Sequence, residues 1–133
     1  MKILIVEDDF ASRLVIKTFL EKYGDCDIAV NGEEAVEAVK ISYDSDSPYE
    51  LICMDIMMPG MDGQDALKLI REHEELLSVK PRKRSKVIMT TALSDPKDVM
   101  KAYHNGVCDA YLTKPIEKKK LINLLKDFNL IKE

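Results

Sequence analysis

The chain has 133 residues, of which 46% are hydrophobic and 33% are charged, and its formal net charge is −4. These values predict a single globular domain over residues 1–133 and a cytoplasmic location. They argue against a nucleic-acid binder, and no apolar run approaches the roughly 20 residues that span a membrane. The three cysteines show no metal-ligand spacing, which indicates buried free thiols.

Short apolar runs that predict strands alternate along the chain with segments of helical periodicity. The predicted strands cover residues 2–6, 25–30, 51–54, 87–90 and 107–112. The predicted helices begin at Ser12, after a cap at Asn31, at Asp62-Gly63, at Asp95-Pro96 and at Ile116, and the last continues to Phe128. Five strands that alternate with five helices predict an α/β fold, with a doubly wound parallel sheet and helices on both faces.

Two polar stretches, residues 42–48 and 80–86, fit no regular element and are predicted to be loops. Five of the seven residues in 80–86 are basic. Such a stretch is either a solvated loop or a docking patch for an acidic partner, and the sequence leaves its role open.

Polar side chains follow four of the predicted strands. They are Glu7-Asp8-Asp9, Asp55, Thr90-Thr91 and Thr113-Lys114. Ligands bind at the carboxyl ends of strands in a parallel sheet, so we expect these groups to share one crevice.

Convergence of Asp8, Asp9 and Asp55 would bring three negative charges together. Each pair repels by roughly 4 kcal/mol at ~4 Å and an effective dielectric of ~20, so the cluster is expected to bind a divalent cation. An oxygen-only site suits Mg²⁺ or Mn²⁺ and not zinc. With Lys114 and Thr91 added, the set suits transfer of a phosphoryl group to an ionised aspartate.

Four motifs, in this order, resemble the signature of response-regulator receiver domains. They are Glu7-Asp8-Asp9, the run Met-Asp-Ile-Met-Met-Pro-Gly-Met-Asp-Gly over residues 54–63, Thr91-Ala92 and Lys114-Pro115. The resemblance covers essentially the whole chain. It implies the flavodoxin-like strand order 2-1-3-4-5 and a function in two-component signal transduction.

The resemblance also implies a role for each residue at the strand ends. Asp55 would be the phosphoacceptor. Asp9 and Asp55 would bind Mg²⁺ through their side chains and Met57 through its backbone carbonyl, with Asp8 acting mainly through water. Lys114 would form an ion pair with the phosphoryl group.

Thr91 would bond a phosphoryl oxygen, and Tyr111 would be an aromatic switch whose ring turns inward when Thr91 moves; a half-buried core tyrosine is the alternative. The Lys114-Pro115 bond is expected to be cis. Met57 and Leu93 stand where the best-studied chemotaxis receivers place residues that guide water, so a long-lived phosphorylated form is expected.

The expected phosphoryl donor is a sensor histidine kinase or a histidine phosphotransfer protein. No DNA-binding domain or membrane segment is predicted, so output is expected through contact with an unidentified downstream protein. The helix at residues 96–103, the fifth strand and the last helix would form the target face or a homodimer interface. The sequence does not separate a relay from a terminal switch.

Two other functions are possible interpretations of these residues: an Mg²⁺-dependent phosphohydrolase, and a scaffold that is never phosphorylated. The hydrolase requires a second aspartate two residues after the first, and that position is Met57. The scaffold would have no use for the complete set of pocket residues.

Overall fold

The computed structural model describes residues 1–92 and 108–132. The elements in chain order are β1 Lys2–Val6, α1 Phe10–Leu20, β2 Asp25–Ala29, α2 Gly32–Asp44, β3 Leu51–Asp55, α3 Gly63–Leu76, a 3-10 helix Pro81–Lys83, β4 Lys86–Thr91, β5 Ala110–Thr113 and α4 Lys118–Asp127. The predicted helix at 96–103, Leu93 and the predicted start of the fifth strand at residue 107 lie outside the described residues. Over the part that is described, every helix is too short or too polar to cross a bilayer.

The five strands form one parallel sheet in the order β2-β1-β3-β4-β5, which confirms the predicted strand order. Val6 pairs with Met54 in the neighbouring strand, and Asp55 pairs with Thr90. The carboxyl ends of β1, β3, β4 and β5 therefore lie at one edge of the sheet. The side chains that follow these strands are brought together there.

The sheet is buried on both faces, which explains why its central strands are apolar at nearly every position. All five residues of β3 are buried. Leu4, Ile52 and Met54 pack with residues of α2 and α3 on one face. Ile3 and Cys53 pack with residues of α1 and α4 on the other. All three cysteines are free; Cys53 and Cys108 are buried, as predicted, whereas Cys26 is only partly buried.

Three helices begin at a polar cap directly after a strand or a tight turn. Asp9, Asn31 and Asp62 each adopt extended backbone angles, and each accepts a hydrogen bond from the backbone N–H three residues later, at 2.8–2.9 Å. The predicted cap at Asn31 is confirmed. Such caps satisfy N–H groups that a helix leaves without a partner, so each helix starts close to the edge where the strands end.

Gly63, the first residue of α3, lies against the end of β3. A Cβ atom at this position would stand 2.2 Å from the carbonyl oxygen of Asp55. The Gly63 N–H also donates to the carbonyl of Ile56 at 2.9 Å. Only glycine lets the helix start approach the strand end this closely.

A buried polar network ties the end of α3 to the start of β4. Glu74 is fully buried, and its carboxylate accepts hydrogen bonds from Arg71 at 2.7 Å, from the Ser85 N–H at 2.9 Å and from the Tyr43 hydroxyl. Arg71 also donates to Asp109 at 3.1 Å. Burial, together with the bond to Glu74, raises the pKa of Tyr43 to about 12, so Tyr43 remains a donor at neutral pH.

Glu74→Ala is expected to lower the free energy of unfolding by about 3 kcal/mol, because it leaves Arg71 and the Ser85 N–H without their buried acceptor. Urea denaturation measures this change. Glu72→Ala, at an exposed position of the same helix, is the control and should change stability by less than about 0.5 kcal/mol. Equal effects of the two substitutions would contradict the role given to the network.

Gly63→Ala is expected to reduce stability by about 2 kcal/mol, because the added methyl group overlaps the Asp55 carbonyl. A loss of stability would be diagnostic, since a glycine-to-alanine change inside a helix ordinarily increases stability. Thermal unfolding provides the measurement, with Lys68→Ala on the exposed side of α3 as the control. An unchanged or higher melting temperature for Gly63→Ala would show that the close approach is not required.

Candidate functional site

Three carboxylates meet at the edge where the strands end. Glu7, Asp8 and Asp55 each place a carboxylate oxygen within 4.8 Å of the other two. Glu7 is 1% exposed and Asp55 is 4% exposed, whereas Asp8 faces solvent. The site is therefore open on the side of Asp8, and its all-oxygen donor set is the kind that Mg²⁺ accepts.

Asp9 does not join this cluster, and the prediction that it converges with Asp8 and Asp55 is wrong. Its carboxylate caps α1 by accepting the Ser12 N–H at 2.9 Å. Hydrogen bonds from the Ser12 backbone and hydroxyl hold the pKa of Asp9 below its ordinary value. Glu7 takes the expected place, because it follows β1 directly and its N–H still pairs with Ala29 at 3.0 Å.

The sequence carries a signal for this arrangement. Aspartate is a preferred residue immediately before a helix, and α1 begins at Phe10, two residues before the predicted start at Ser12, which makes Asp9 its cap. Glu7 was missed because the sequence alone does not show at which of the three acidic residues the chain leaves the sheet.

Lys114 is the positive group of the site. Its ammonium donates a hydrogen bond to Glu7 and lies 3.5 Å from Asp55 Oδ2. Its backbone N–H donates to the Thr91 carbonyl at 2.8 Å, and its bond to Pro115 is cis, as predicted. Lys114 is thus fixed to the end of β4 while its side chain reaches across to β1 and β3.

Burial and charge act in opposite directions on these groups. Burial alone would lower the pKa of Lys114, but hydrogen bonding and the charges of Glu7 and Asp55 outweigh it and raise that pKa. Burial is also the largest influence on Glu7, and together with Asp55 it raises the pKa of Glu7 against the opposing effect of Lys114. Lys114 therefore stays protonated at neutral pH and supplies the charge that the acidic cluster lacks.

Asp55 is the last residue of β3, and its backbone and side chain are both held in place. The N–H of the next residue, Ile56, donates to the Thr90 carbonyl at 2.9 Å. The Met57 N–H lies 3.3 Å from Asp55 Oδ1. Met57 is 59% exposed.

The remaining predicted residues lie on the neighbouring strands. Thr91 ends β4 and is fully buried, and it pairs in register with Thr113. Tyr111 lies on β5 opposite Met89 and is 38% exposed. The structure therefore brings together Asp8, Asp55 and Lys114, with Thr91 on the strand end that anchors the Lys114 backbone.

A carboxylate that lies between a cation-binding acidic group and an ammonium is suited to accept a phosphoryl group. Attack by such a carboxylate requires that the negative charge of the phosphoryl oxygens is offset, and positioned cations do this. Asp55 meets both conditions, since it belongs to the acidic cluster and lies 3.5 Å from the Lys114 ammonium.

Comparison with known proteins gives one consistent result. The family model described as response regulator receiver domain matches residues 3–126. Hybrid signal transduction histidine kinase F of Dictyostelium discoideum is 40% identical over 128 residues, which cover 96% of this chain and 11% of that protein. The chain thus spans about a tenth of the length of this relative.

Two solved structures are similar over 96% of this chain. The first is the receiver domain of the Saccharomyces cerevisiae response regulator Ssk1, in a co-crystal with the histidine phosphotransfer protein Ypd1, with 28% identity, 88% coverage of that chain and a TM-score of 0.79. The second is the receiver domain of the sensor histidine kinase PA1611 of Pseudomonas aeruginosa PAO1, with a magnesium ion in its active-site cleft, 26% identity, 95% coverage and a TM-score of 0.76. This chain belongs to the response regulator receiver domain family of two-component signalling.

Proposed function

We propose that Asp55 accepts a phosphoryl group from a phosphorylated histidine in a reaction that requires Mg²⁺, and that the phosphorylated domain then changes its protein contacts. The observation that carries this proposal is the position of Asp55, within a cluster of carboxylates and 3.5 Å from the ammonium of Lys114. The donor is a sensor histidine kinase or a histidine phosphotransfer protein. The similar Ssk1 receiver, crystallised with such a phosphotransfer protein, supports this choice.

The donor set fits Mg²⁺, since it offers carboxylate oxygens on a partly solvated edge. We assign Asp8 and Asp55 as the residues that hold the ion, with the backbone carbonyl of Met57, and Glu7 as the acidic residue behind them. When bound, Mg²⁺ supplies positive charge that offsets the phosphoryl oxygens. The magnesium ion in the similar PA1611 receiver supports this assignment.

In the transfer step, an oxygen of the Asp55 carboxylate forms a bond to phosphorus. The bond between phosphorus and the donor histidine nitrogen breaks, and that nitrogen keeps the electron pair. The bound phosphoryl group carries up to about two negative charges at neutral pH, in place of the single charge of the carboxylate. Lys114 moves only a short distance from Glu7 to pair with it, and the hydroxyl of Thr91 donates to a phosphoryl oxygen.

An apolar surface beside the site suits docking of the donor. Phe10, Leu14 and Val15 of α1 are exposed. A depression of about 200 Å³ lies beside them, between the start of α1 and the Lys114–Ile116 segment. A partner that docks here would bring its phosphohistidine to the open side of the acidic cluster.

Asp55→Asn is expected to abolish phosphorylation by acetyl phosphate in the presence of Mg²⁺. Intact-protein mass spectrometry measures the gain of one phosphoryl group, which the unsubstituted protein should show. Asp62→Asn is the matched control, because asparagine caps α3 as well as aspartate does and the change in charge is the same. Uptake by Asp55→Asn equal to that of the control would overturn the assignment of the phosphoacceptor.

Substitution of neighbouring acidic residues separates the metal site from the helix cap. Asp8→Asn should weaken Mg²⁺ binding roughly tenfold or more, because it removes one charge from the donor set. Asp9→Asn should leave the affinity nearly unchanged, since asparagine keeps the cap on α1. Isothermal titration calorimetry tests both. If Asp9→Asn weakens binding as much as Asp8→Asn, the revised ligand set is wrong.

The phosphorylated form is expected to be long-lived, because the apolar Met57 gives an attacking water no hydrogen-bond partner beside Asp55. Met57→Asn should shorten the half-life, and Met57→Leu, which keeps the side chain apolar, should not. Loss of the phosphoryl mass over time in Mg²⁺ buffer measures the rate. A half-life of seconds for the unsubstituted protein, or no effect of asparagine, would contradict this expectation.

A further inference from the structure

The segment between α3 and β4 is held in a compact conformation by hydrogen bonds. Its base is fixed where the carboxylate of Glu74 accepts the Ser85 N–H at 2.9 Å. Inside it, the Val79 N–H donates to the Glu74 carbonyl at 2.9 Å, and Arg84 Nε donates to the Val79 carbonyl at 3.1 Å. Ser78 turns the chain with a φ of 57°. Residues 75–84 therefore form one compact projection, and not a loose loop.

Two leucines and three cations of this projection are exposed to solvent. Leu76 is 80% exposed and Leu77 is 45% exposed. Lys80, Arg82 and Lys83 are also exposed, and among the described residues none of the three forms an ion pair. We call these five residues the α3-end surface.

Cations just outside the projection behave differently. Arg71 and Lys86 both pair with Asp109, at 3.1 Å and 3.9 Å. The fold thus supplies an acidic partner to the cations that brace the base of the projection, but none within the described residues to those at its tip. Exposed apolar side chains beside unpaired cations are the composition of a contact surface.

We propose that the α3-end surface binds an acidic segment of a partner protein that packs an apolar side chain against Leu76 and Leu77. Charge complementarity favours this occupant, because residues 75–84 carry four cations and one carboxylate, that of Glu75. The bracing lowers the entropy lost on binding, since the projection is already ordered.

The size of the patch argues against other anions. Strong binding to nucleic acid uses about 6–10 phosphate contacts, and recognition of an anionic membrane uses clusters of about 4–8 basic residues. The three exposed cations lie on Lys80 and on the single turn of 3-10 helix that follows it, which is about 6 Å long, and they supply too few contacts for either. The adjacent leucines would also face phosphates instead of apolar groups.

The α3-end surface is remote from the acidic cluster. It lies before Lys86, at the start of β4, whereas the cluster lies near Thr91, at the end of that strand. Six residues of strand separate the two by roughly 20 Å. Binding at this surface is therefore expected with or without phosphorylation, so the inference does not depend on the function proposed for Asp55.

The test uses the full chain and a synthetic peptide in which a pair of leucines is flanked by glutamates. Two-dimensional NMR should show saturable shifts confined to residues 75–84. Three further probes identify what is recognised: polyglutamate without leucine, a single-stranded oligonucleotide, and vesicles that contain phosphatidylserine. Weaker binding of all three supports the proposal. Tighter binding of the oligonucleotide or the vesicles, or no shifts with the leucine-containing peptide, overturns it.

Substitutions distinguish a defined site from general attraction to charge. The double substitution Lys80→Glu and Arg82→Glu, and separately Leu76→Ser, should each weaken peptide binding at least tenfold. Lys118→Glu with Lys119→Glu, on exposed positions of α4, makes the same change in net charge and should not. Equal losses in the two double variants would overturn the site. Circular dichroism and phosphorylation by acetyl phosphate should be unchanged in all variants, which excludes unfolding as the cause.

Discussion

The ammonium of Lys114 allows two carboxylates to be buried side by side at the edge of the sheet. Glu7 and Asp55 are almost completely removed from solvent, and an uncompensated buried charge costs several kcal/mol. Lys114 contacts both of them, and its own backbone is fixed to the end of β4. Every feature of the site follows from this arrangement of one positive and several negative groups.

The parallel sheet is what makes the arrangement possible. Glu7, Asp55 and Lys114 are far apart in sequence, yet each lies at the end of a different strand, and those strands end at the same edge. Helix caps and the close approach at Gly63 keep the turns after the strands short. The groups that carry the chemistry are therefore held by rigid elements. A rigid site of this kind loses little energy to reorganisation when charge arrives.

Much of the fold could be predicted from the sequence, because strands buried on both faces are apolar throughout and helices show their periodicity and caps. The strand order came from the resemblance of the motifs to receiver domains. The sequence leaves open where the chain turns out of β1, and for this reason its pattern predicts Asp9 in the site instead of Glu7. The partners of Glu74 could not be predicted either, because Tyr43, Arg71 and Ser85 meet it only in the folded chain. The sequence predicts a loop at residues 80–86, and the hydrogen bonds that hold this segment are seen only in the folded structure.

The central claim is that Asp55 receives the phosphoryl group and that Lys114 then pairs with it. The most direct measurement is a crystal structure of the protein with Mg²⁺ and beryllium fluoride, which mimics a phosphoryl group on a carboxylate. The account predicts a beryllium fluoride adduct on Asp55, Mg²⁺ in contact with Asp8, the Lys114 ammonium on a fluoride, and Asp9 still capping α1. An adduct on another residue, or a Lys114 side chain turned away from a group bound to Asp55, would contradict it.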